Sequence, residues 1–311
     1  MISMKESMHD GMYDISNKPE SFRTAFAQAI VKMNSDTITL IRGGKSPKGS
    51  IFEAVRFSAS MAAKRTWELI PYCHPIPIDS VKVDVSLKQN YVEVIVEVKN
   101  VGKTGVEMEA LTAASIGALT IYDMLKPVDE MLSIESVKLL KKSGGLRTFY
   151  ESPGVPLKAA ILVTSDSRGE KEDSSGKIVK DRLTSNDFSI IEYQIIPNKS
   201  DLIQSELKRF CDELKLDIVI TCGGTGVGPR DVTPEATKKV IEKELCGISE
   251  TLRIFGQRRT PFSMLSRGVA GIRATTVIIN LPGSVRAVSE SLDSLFPGIM
   301  HIFKMLKGRK H

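Results

Sequence analysis

KTGVEMEALTAASIGALTIYDMLKP, residues 103–127, decides how the first half of this 311-residue chain is organised. It sets Glu107, Glu109 and Asp123 with Lys103 and Lys126 around one expected helix. Glu107 and Glu109 alternate as on an extended segment, where residues two apart share a face. From about Ala110 the composition turns to Ala, Leu, Ile, Met and Gly, which suits a helix. Asp123 and Lys126 stand three apart on one helical face, which runs back through Leu119, Ile116 and Thr112. Pro127 stops the helix. A solvated Asp–Lys pair with two surface glutamates would share this spacing, but the apolar and small surroundings favour a buried site.

Towards the N-terminus, Ser21–Met33 fits either a helix or an alternating strand, and Thr37–Ile41 reads as a short strand by its β-branched content. The loop RGGKSPKGS (42–50) follows, and Ser50 with Glu53 forms a capping box that starts a helix running to about Leu69. Lys48 therefore lies just before a helix N-terminus, where anions are favoured. GKS at 44–46 and GKT at 102–104 are not Walker loops, because the first glycine of GxxxxGK[ST] would fall on Thr39 and Glu97. In LIPYCHPIPI (69–78) three prolines hold Cys73 and His74 in a restricted backbone, a placement that suits a proton-exchanging imidazole as well as a structural one. Val81–Leu87 and Tyr91–Val98 alternate as an antiparallel hairpin, and Ser133–Lys141 supplies another strand before Lys142, Ser143, Gly144 and Gly145. The half reads as α+β, with helices against an antiparallel sheet in a ferredoxin-like arrangement.

Together KTGVEMEALTAASIGALTIYDMLK, LIPYCHPIPI, AAKRTWELIP and LLKKSGG resemble the cyclic pyranopterin monophosphate synthase family of molybdenum-cofactor biosynthesis, over a domain at 12–146. The resemblance implies a cyclised dihydroguanosine triphosphate as substrate, rearranged to a cyclic-phosphate pterin with release of diphosphate. It makes Lys48, His74, Asp123 and Lys126 the acid–base set. Tyr72, Cys73, His74, Glu107, Met108 and Glu109 would contact substrate, with Lys142 and Ser143 on the phosphates. It also implies a hexamer-type homo-oligomer with sites between subunits. Lysines suit a tetra-anionic triphosphate, and ring rearrangement needs proton donors and acceptors held together.

RTFYESPGVP (147–156) has two prolines, a glycine and no periodicity, and marks a linker. From 157 to 311 the class changes. Leu157–Thr164 is a continuous apolar strand, as in a parallel sheet covered on both faces. Ile190–Ile196, Leu216–Cys222 and Thr275–Leu281 are further strands. Helical patterns at about Ser200–Leu214, Pro234–Leu245 and Val285–Phe296 alternate with them, which gives a doubly wound, mostly parallel α/β domain. Two strand ends carry glycine-rich loops, TCGGTGVGPRDVTPEAT (221–237) and NLPGSVRA (280–287), with Thr233 and Ser284 as expected helix caps. A polar loop at 164–177 would join the same edge. Pro229 falls where the last glycine of GxGxxG would be, so a dinucleotide fingerprint is absent.

GGTGVGPRDVTPEAT, SDSRGEKEDSSG, MLSRGVAGIR and INLPGS resemble the molybdopterin adenylyltransferases and their gephyrin-type relatives. The resemblance implies ATP with Mg2+, adenylate transfer to molybdopterin, a trimer-type homo-oligomer and no tightly bound organic cofactor. It assigns Gly223, Gly224, Thr225, Gly226 and Asp231 to the phosphate and pterin loop, Asp166, Ser175 and Gly176 to the nucleotide end, and Pro282, Gly283 and Ser284 to its completion. The chain departs from the pattern twice. Pro197, Asn198 and Lys199 stand where many members carry an Asp after the proline, and LPGSV stands where LPG-x-P is common. A molybdopterin-binding or assembly module without turnover is the alternative for this half. The two activities are not consecutive, since sulfur enters the pterin between them.

The composition bounds these readings. A net charge of +6 and pI of about 9.0 suit phosphorylated small molecules, and 6% aromatic residues without basic interleaving argue against a nucleic-acid stacking platform. Four scattered cysteines with no CxxC pair fit a reducing cytoplasm and no structural metal site. No apolar run has spanning length and the N-terminus lacks a signal-peptide core, so no membrane partner is expected.

Overall fold

The computed structural model describes residues 11–166 and 173–308. The chain divides into two compact units, one ending at Phe149 and the other beginning at Tyr150. In the first, β1 (Ser21–Lys32), β2 (Ser80–Leu87), β3 (Tyr91–Gly102) and β4 (Ser133–Ser143) form an antiparallel sheet of order β2-β3-β1-β4. Its helices are α1 (Ser35–Arg42), α2 (Ile51–Lys64), α3 (Thr66–Leu69) and α4 (Glu107–Leu125). This is the expected α+β arrangement. The ambiguous Ser21–Met33 is a strand, because Ala25, Ala27, Ala29 and Val31 point at alternate positions into the core. Opposite them Val92, Val94, Val96 and Val98 of β3 do the same. α4 lies on this face and is covered in turn by α2, so its inner positions are small. The space for a Gly117 side chain is bounded by Val55 and Val94 methyls at 3.3 Å.

Thr37–Ile41, expected as a strand, lies inside α1. Its Thr37, Ile38 and Ile41 are buried at helical spacing, and tertiary packing overrides their β-branched preference. The helix start is held by a residue far along the chain. Buried Asp129 accepts from Asn34 N (2.8 Å), Asn34 Nδ2 (2.8 Å) and Thr37 Oγ1 (2.7 Å). The helix expected to reach Leu69 breaks at Arg65, where the Thr66 hydroxyl bonds the carbonyls of Ala62 and Ala63 at 3.1 Å.

Asp129→Ala would take the shared acceptor from the buried Thr37 hydroxyl and the part-buried Asn34 donors, and it is expected to destabilise the first unit by about 3 kcal/mol. Trp67, the only tryptophan, reports unfolding of this unit by its fluorescence. Burial alone would raise the Asp129 pKa, but the bonds from Asn34, Thr37 and Met131 outweigh it and the net shift is downward. The folded pKa is therefore below the unfolded one. The contribution is present above the ordinary value of 3.8 and is lost as pH falls through the lower folded value. A variant whose acid-unfolding midpoint matched the parent's would contradict this.

The second unit is built on a six-stranded sheet of order β6-β5-β7-β10-β9-β8. These strands are β5 (Leu157–Thr164), β6 (Phe188–Ile196), β7 (Ile218–Cys222), β8 (Lys243–Glu244), β9 (Ala270–Arg273) and β10 (Thr276–Leu281). The four strands β6, β5, β7 and β10 run parallel, and β9 and β8 form an antiparallel edge. The helices are α5 (Ser174–Thr184), α6 (Ser200–Lys208), α7 (Thr233–Lys238), α8 (Cys246–Gln257), α9 (Val285–Leu295) and α10 (His301–Leu306). β5 explains why its sequence is continuously apolar. Leu157, Ala159, Ile161 and Val163 enter one core, while Ala160 and Leu162 enter another on the opposite face.

Some boundaries differ from expectation. α7 ends at Lys238 and the chain enters β8, so helix does not continue to Leu245. Part of the supposed loop at 164–177 belongs to α5, whose N-cap Asp173 accepts from Ser175 N and Gly176 N; residues 167–172 lie outside the described ones. α8, β8 and β9 were not expected. Strand order reverses between β5 and β7, and in such sheets ligands bind beyond the strand C-termini at that point.

Candidate functional site

In the first unit, Ser50 caps α2 by accepting from Glu53 N at 3.4 Å, and Lys48 sits two residues before it. α2 runs antiparallel to α4, since Lys48 meets Asp123 while Ala59 meets Gly117 farther back along α4. Asp123 thereby receives two lysines: Lys48 Nζ lies 2.7 Å from Oδ2 and Lys126 Nζ 2.8 Å from Oδ1. Hydrogen bonds from Lys126 and Lys48 hold its carboxyl down at about 2. Asp123 in turn raises the Lys126 pKa. Lys126 is thus an ammonium at neutral pH, fitted to give a proton or hold an anion. The buried surroundings expected for this pair are absent within one chain, where Asp123 and Lys126 side chains are each 56% exposed and Leu119 beside them is exposed too.

A second group gathers at the other end of α4. Glu107 and Glu109 do not share an extended face. The helix begins at Glu107, and about 100° per residue turns the two apart. Glu107 pairs with Lys142 of β4 at 3.0 Å. Glu109 points inward and is 4% exposed, its Oε2 buried without a partner. Burial raises its pKa to about 7. Burial and the nearby Glu109 raise the Cys73 thiol, so the Tyr72–His74 turn lies at this end. His74 Nε2 is 2.8 Å from Tyr13 O, and Lys103 Nζ donates to Ser16 O at 3.1 Å. Met108 and Tyr72 are exposed, and Ser143 closes β4 opposite Thr24. His74 therefore stands with Glu109, apart from Lys48, Asp123 and Lys126. The sequence reading missed Arg23. It is buried, and donates from Nε to Gly102 O at 2.8 Å and from Nη2 to Lys103 O at 3.0 Å, bracing the loop that leads into α4. An arginine in the inward parity of Ala25 and Ala27 was the available clue.

In the second unit, the C-terminal ends of β5, β6, β7 and β10, with the described residues that follow them, converge at the reversal point. Gly223 and Gly224 have φ of +102° and +61°, which lets the chain turn sharply beneath Thr164. Thr233, expected as a cap, is the first residue of α7. Its N–H donates to Gly224 O at 3.1 Å, and its hydroxyl lies 3.2 Å from that of Thr164. Asp231 folds the loop back on itself by accepting from Gly228 N at 2.9 Å. Arg267 clamps the loop from outside. Its Nε donates to Gly226 O and its Nη2 to Asp231 O, each at 2.6 Å, and its Nη1 pairs with Glu235.

Asp166 accepts from Asn198 N at 2.9 Å and faces Arg230 at 3.4 Å. Asn198 Oδ1 is buried without a partner beside Gly224. Ser175 and Gly176 are drawn inward, with the Ser175 hydroxyl on Asp173 at 2.7 Å and both N–H groups accepted by the same carboxylate. Gly283 packs against Gly223, and Ser284 caps α9 by accepting from Ala287 N at 3.4 Å. Thr225–Val227 and Pro282–Ser284 border a cavity of about 580 Å³ whose other walls come from α8, α9 and the turn at Pro261–Leu265. Ser249, Arg253 and Phe262 line it and were missed, since no glycine or capping pattern marks them, and Arg286 joins them from within the NLPGSVRA stretch.

The model of the MoaC family matches residues 12–145, and that of a probable molybdopterin binding domain matches residues 160–301. The chain is 36% identical over 302 residues to a molybdenum cofactor biosynthesis bifunctional protein of Chlorobaculum tepidum, covering 96% of each. It is 34% identical over 315 residues to the protein of the same description from Synechococcus elongatus, covering 96% of this chain and 98% of that one. Its first half is 46% identical over 136 residues to a cyclic pyranopterin monophosphate synthase of Thermomicrobium roseum, covering 43% of this chain and 82% of that one.

Proposed function

The chain belongs to the bifunctional molybdenum cofactor biosynthesis proteins, and on that premise we propose two reactions for its two halves. The first half rearranges the cyclised dihydroguanosine triphosphate to cyclic pyranopterin monophosphate and diphosphate. Asp123 held between Lys48 and Lys126 carries this reading, since it holds two ammonium groups side by side for a polyanionic substrate. Asp123 and Glu109 lie fourteen residues apart on α4, about 21 Å along its axis. Acid–base partners act on atoms a few ångström apart, so a second subunit, as in the hexamers the first half resembles, would bring Glu109 and His74 to the lysine end. Supplying the full chain with the cyclised substrate and measuring diphosphate and cyclic pterin tests this, and no product at any pH would reject it.

The second half adenylates molybdopterin with ATP. The glycine turns at the β5–β7 reversal carry this reading, because backbone N–H groups can approach phosphates there. The pterin would occupy the adjoining cavity. Mg2+ would arrive with the nucleotide and neutralise charge at the α-phosphate. The oxygen donors Asp166 and Asn198 are of the hard type that ion takes. No group of three His, Cys, Asp or Glu side chains converges among the described residues, so the phosphates themselves would supply most of its ligands.

One observation favours a second reading: the buried oxygen without a partner belongs to an amide, which brings no negative charge to a metal. This half would then bind molybdopterin without transfer. Incubating the full chain with molybdopterin, ATP and Mg2+ decides. Adenylated pterin from the parent chain supports transfer. Pterin binding with product appearing only in Asn198→Asp supports the binding module.

A further inference from the structure

We propose that Glu109 enters the first-half reaction as a neutral carboxylic acid, which gives the proton on Oε2 to the substrate as the purine-derived ring opens. The proposal rests on the synthase reading above. A five-membered purine ring must open to become the six-membered ring of a pterin, so a carbon–nitrogen bond breaks. Its electron pair stays on that nitrogen, which takes a proton, while the lone pair of the ring's other nitrogen forms a C=N bond to the carbon left behind. Glu109 becomes carboxylate in this step and recovers a proton as the new ring closes, so the group is unchanged over one turnover.

The geometry separates Glu109 from the other ionisable groups of the site. Lys142 answers the charge of Glu107, and Lys48 and Lys126 answer that of Asp123. Glu109 has no cation in contact, is 4% exposed, and keeps Oε2 buried without a partner. It stands in the first turn of α4, where the helix dipole favours an anion. Burial nevertheless prevails, helped by Glu107 two residues before it, and holds the group protonated up to about pH 7. The groups around this end include Glu107 from α4, Cys73 and His74 from the prolyl turn, Lys103 from the loop before α4, Asp14 from the N-terminal segment that bonds His74 and Lys103, Arg23 from β1 and Lys142 from β4. The Cys73 thiol is raised by burial first and by Glu109 second.

Glu109→Gln keeps the shape and a hydrogen-bond donor but cannot release a proton. In the full chain we expect kcat to fall about 100-fold with KM for the triphosphate changed less than about threefold. An acid acts while protonated, so parental activity should decline as pH rises through about 7, and the residual activity of the variant should lack that limb. A variant within threefold of the parent in kcat, or one that keeps the limb, overturns the proposal. A second readout needs no turnover. The infrared carbonyl band of a protonated carboxylic acid, taken as parent minus Glu109→Gln, should be present at pH 6 and vanish by pH 8. Its absence at pH 6 overturns the proposal even if the synthase reading stands. A parent chain that makes no cyclic pterin overturns the reading whatever the band shows.

Discussion

With asparagine at Asp123, the full chain is expected to lose about 10³-fold in kcat for the first-half reaction, with a much smaller change in KM. Each carboxylate oxygen of Asp123 accepts one lysine ammonium, and Lys48 reaches the Asp123 carbonyl as well at 3.1 Å. An amide offers one acceptor and one donor, so one ammonium is turned away and the two charges are left to repel. The pH profile carries the sharper test. Asp123 titrates at about 2, so it adds no limb near neutrality. Lys126 is raised chiefly by its bond to Asp123, so losing the carboxylate should move the upper alkaline limb of kcat, which lies beyond the one Glu109 sets near 7, to lower pH. The fold should survive, because exposed ion pairs are weak and screened by salt. A Trp67 unfolding transition unchanged from the parent would show this. An upper limb that stayed in place would mean that Lys126 does not act as an acid in the reaction.

What was legible in the sequence follows from how local its causes are. The strands of the second unit stood out because each face of β5 meets a covered core, leaving no polar position in Leu157–Thr164 apart from Lys158 and the final Thr164. Ser50 and Ser284 were readable caps because each acts three residues away. α1 was not readable, because its start is fixed by Asp129, more than ninety residues downstream. The same limit applies at the candidate sites. Residue types and spacing indicated Lys48, Asp123 and Lys126. Spacing could not show that Glu109 turns inward while Glu107 meets Lys142, since that depends on where α4 starts. Arg267 gave no local sign either, because its contacts to Gly226, Asp231 and Glu235 reach across more than thirty residues.

Gly223→Ala is expected to destabilise the second unit by about 3 kcal/mol or more and to remove its ligand binding. At φ +102° the backbone lies outside the left-handed region that L-residues visit, and an added Cβ would sit 2.5 Å from the carbonyl oxygen of Thr164. That oxygen cannot withdraw freely, because Thr164 ends a strand registered against both neighbours in the sheet. Gly154→Ala is the matching control. It has φ +78° with nothing within 4 Å, so only the conformational penalty of about 1 kcal/mol applies. Trp67 lies in the first unit, so circular dichroism should show an early transition in Gly223→Ala while tryptophan fluorescence keeps the parental midpoint. Equal effects from the two substitutions would show that positive φ alone matters and that contact with Thr164 does not. A larger effect at Gly223 would mean that the close approach which exposes the loop backbone to a phosphate also holds β5 and β7 together. No side chain could then be added there without losing both.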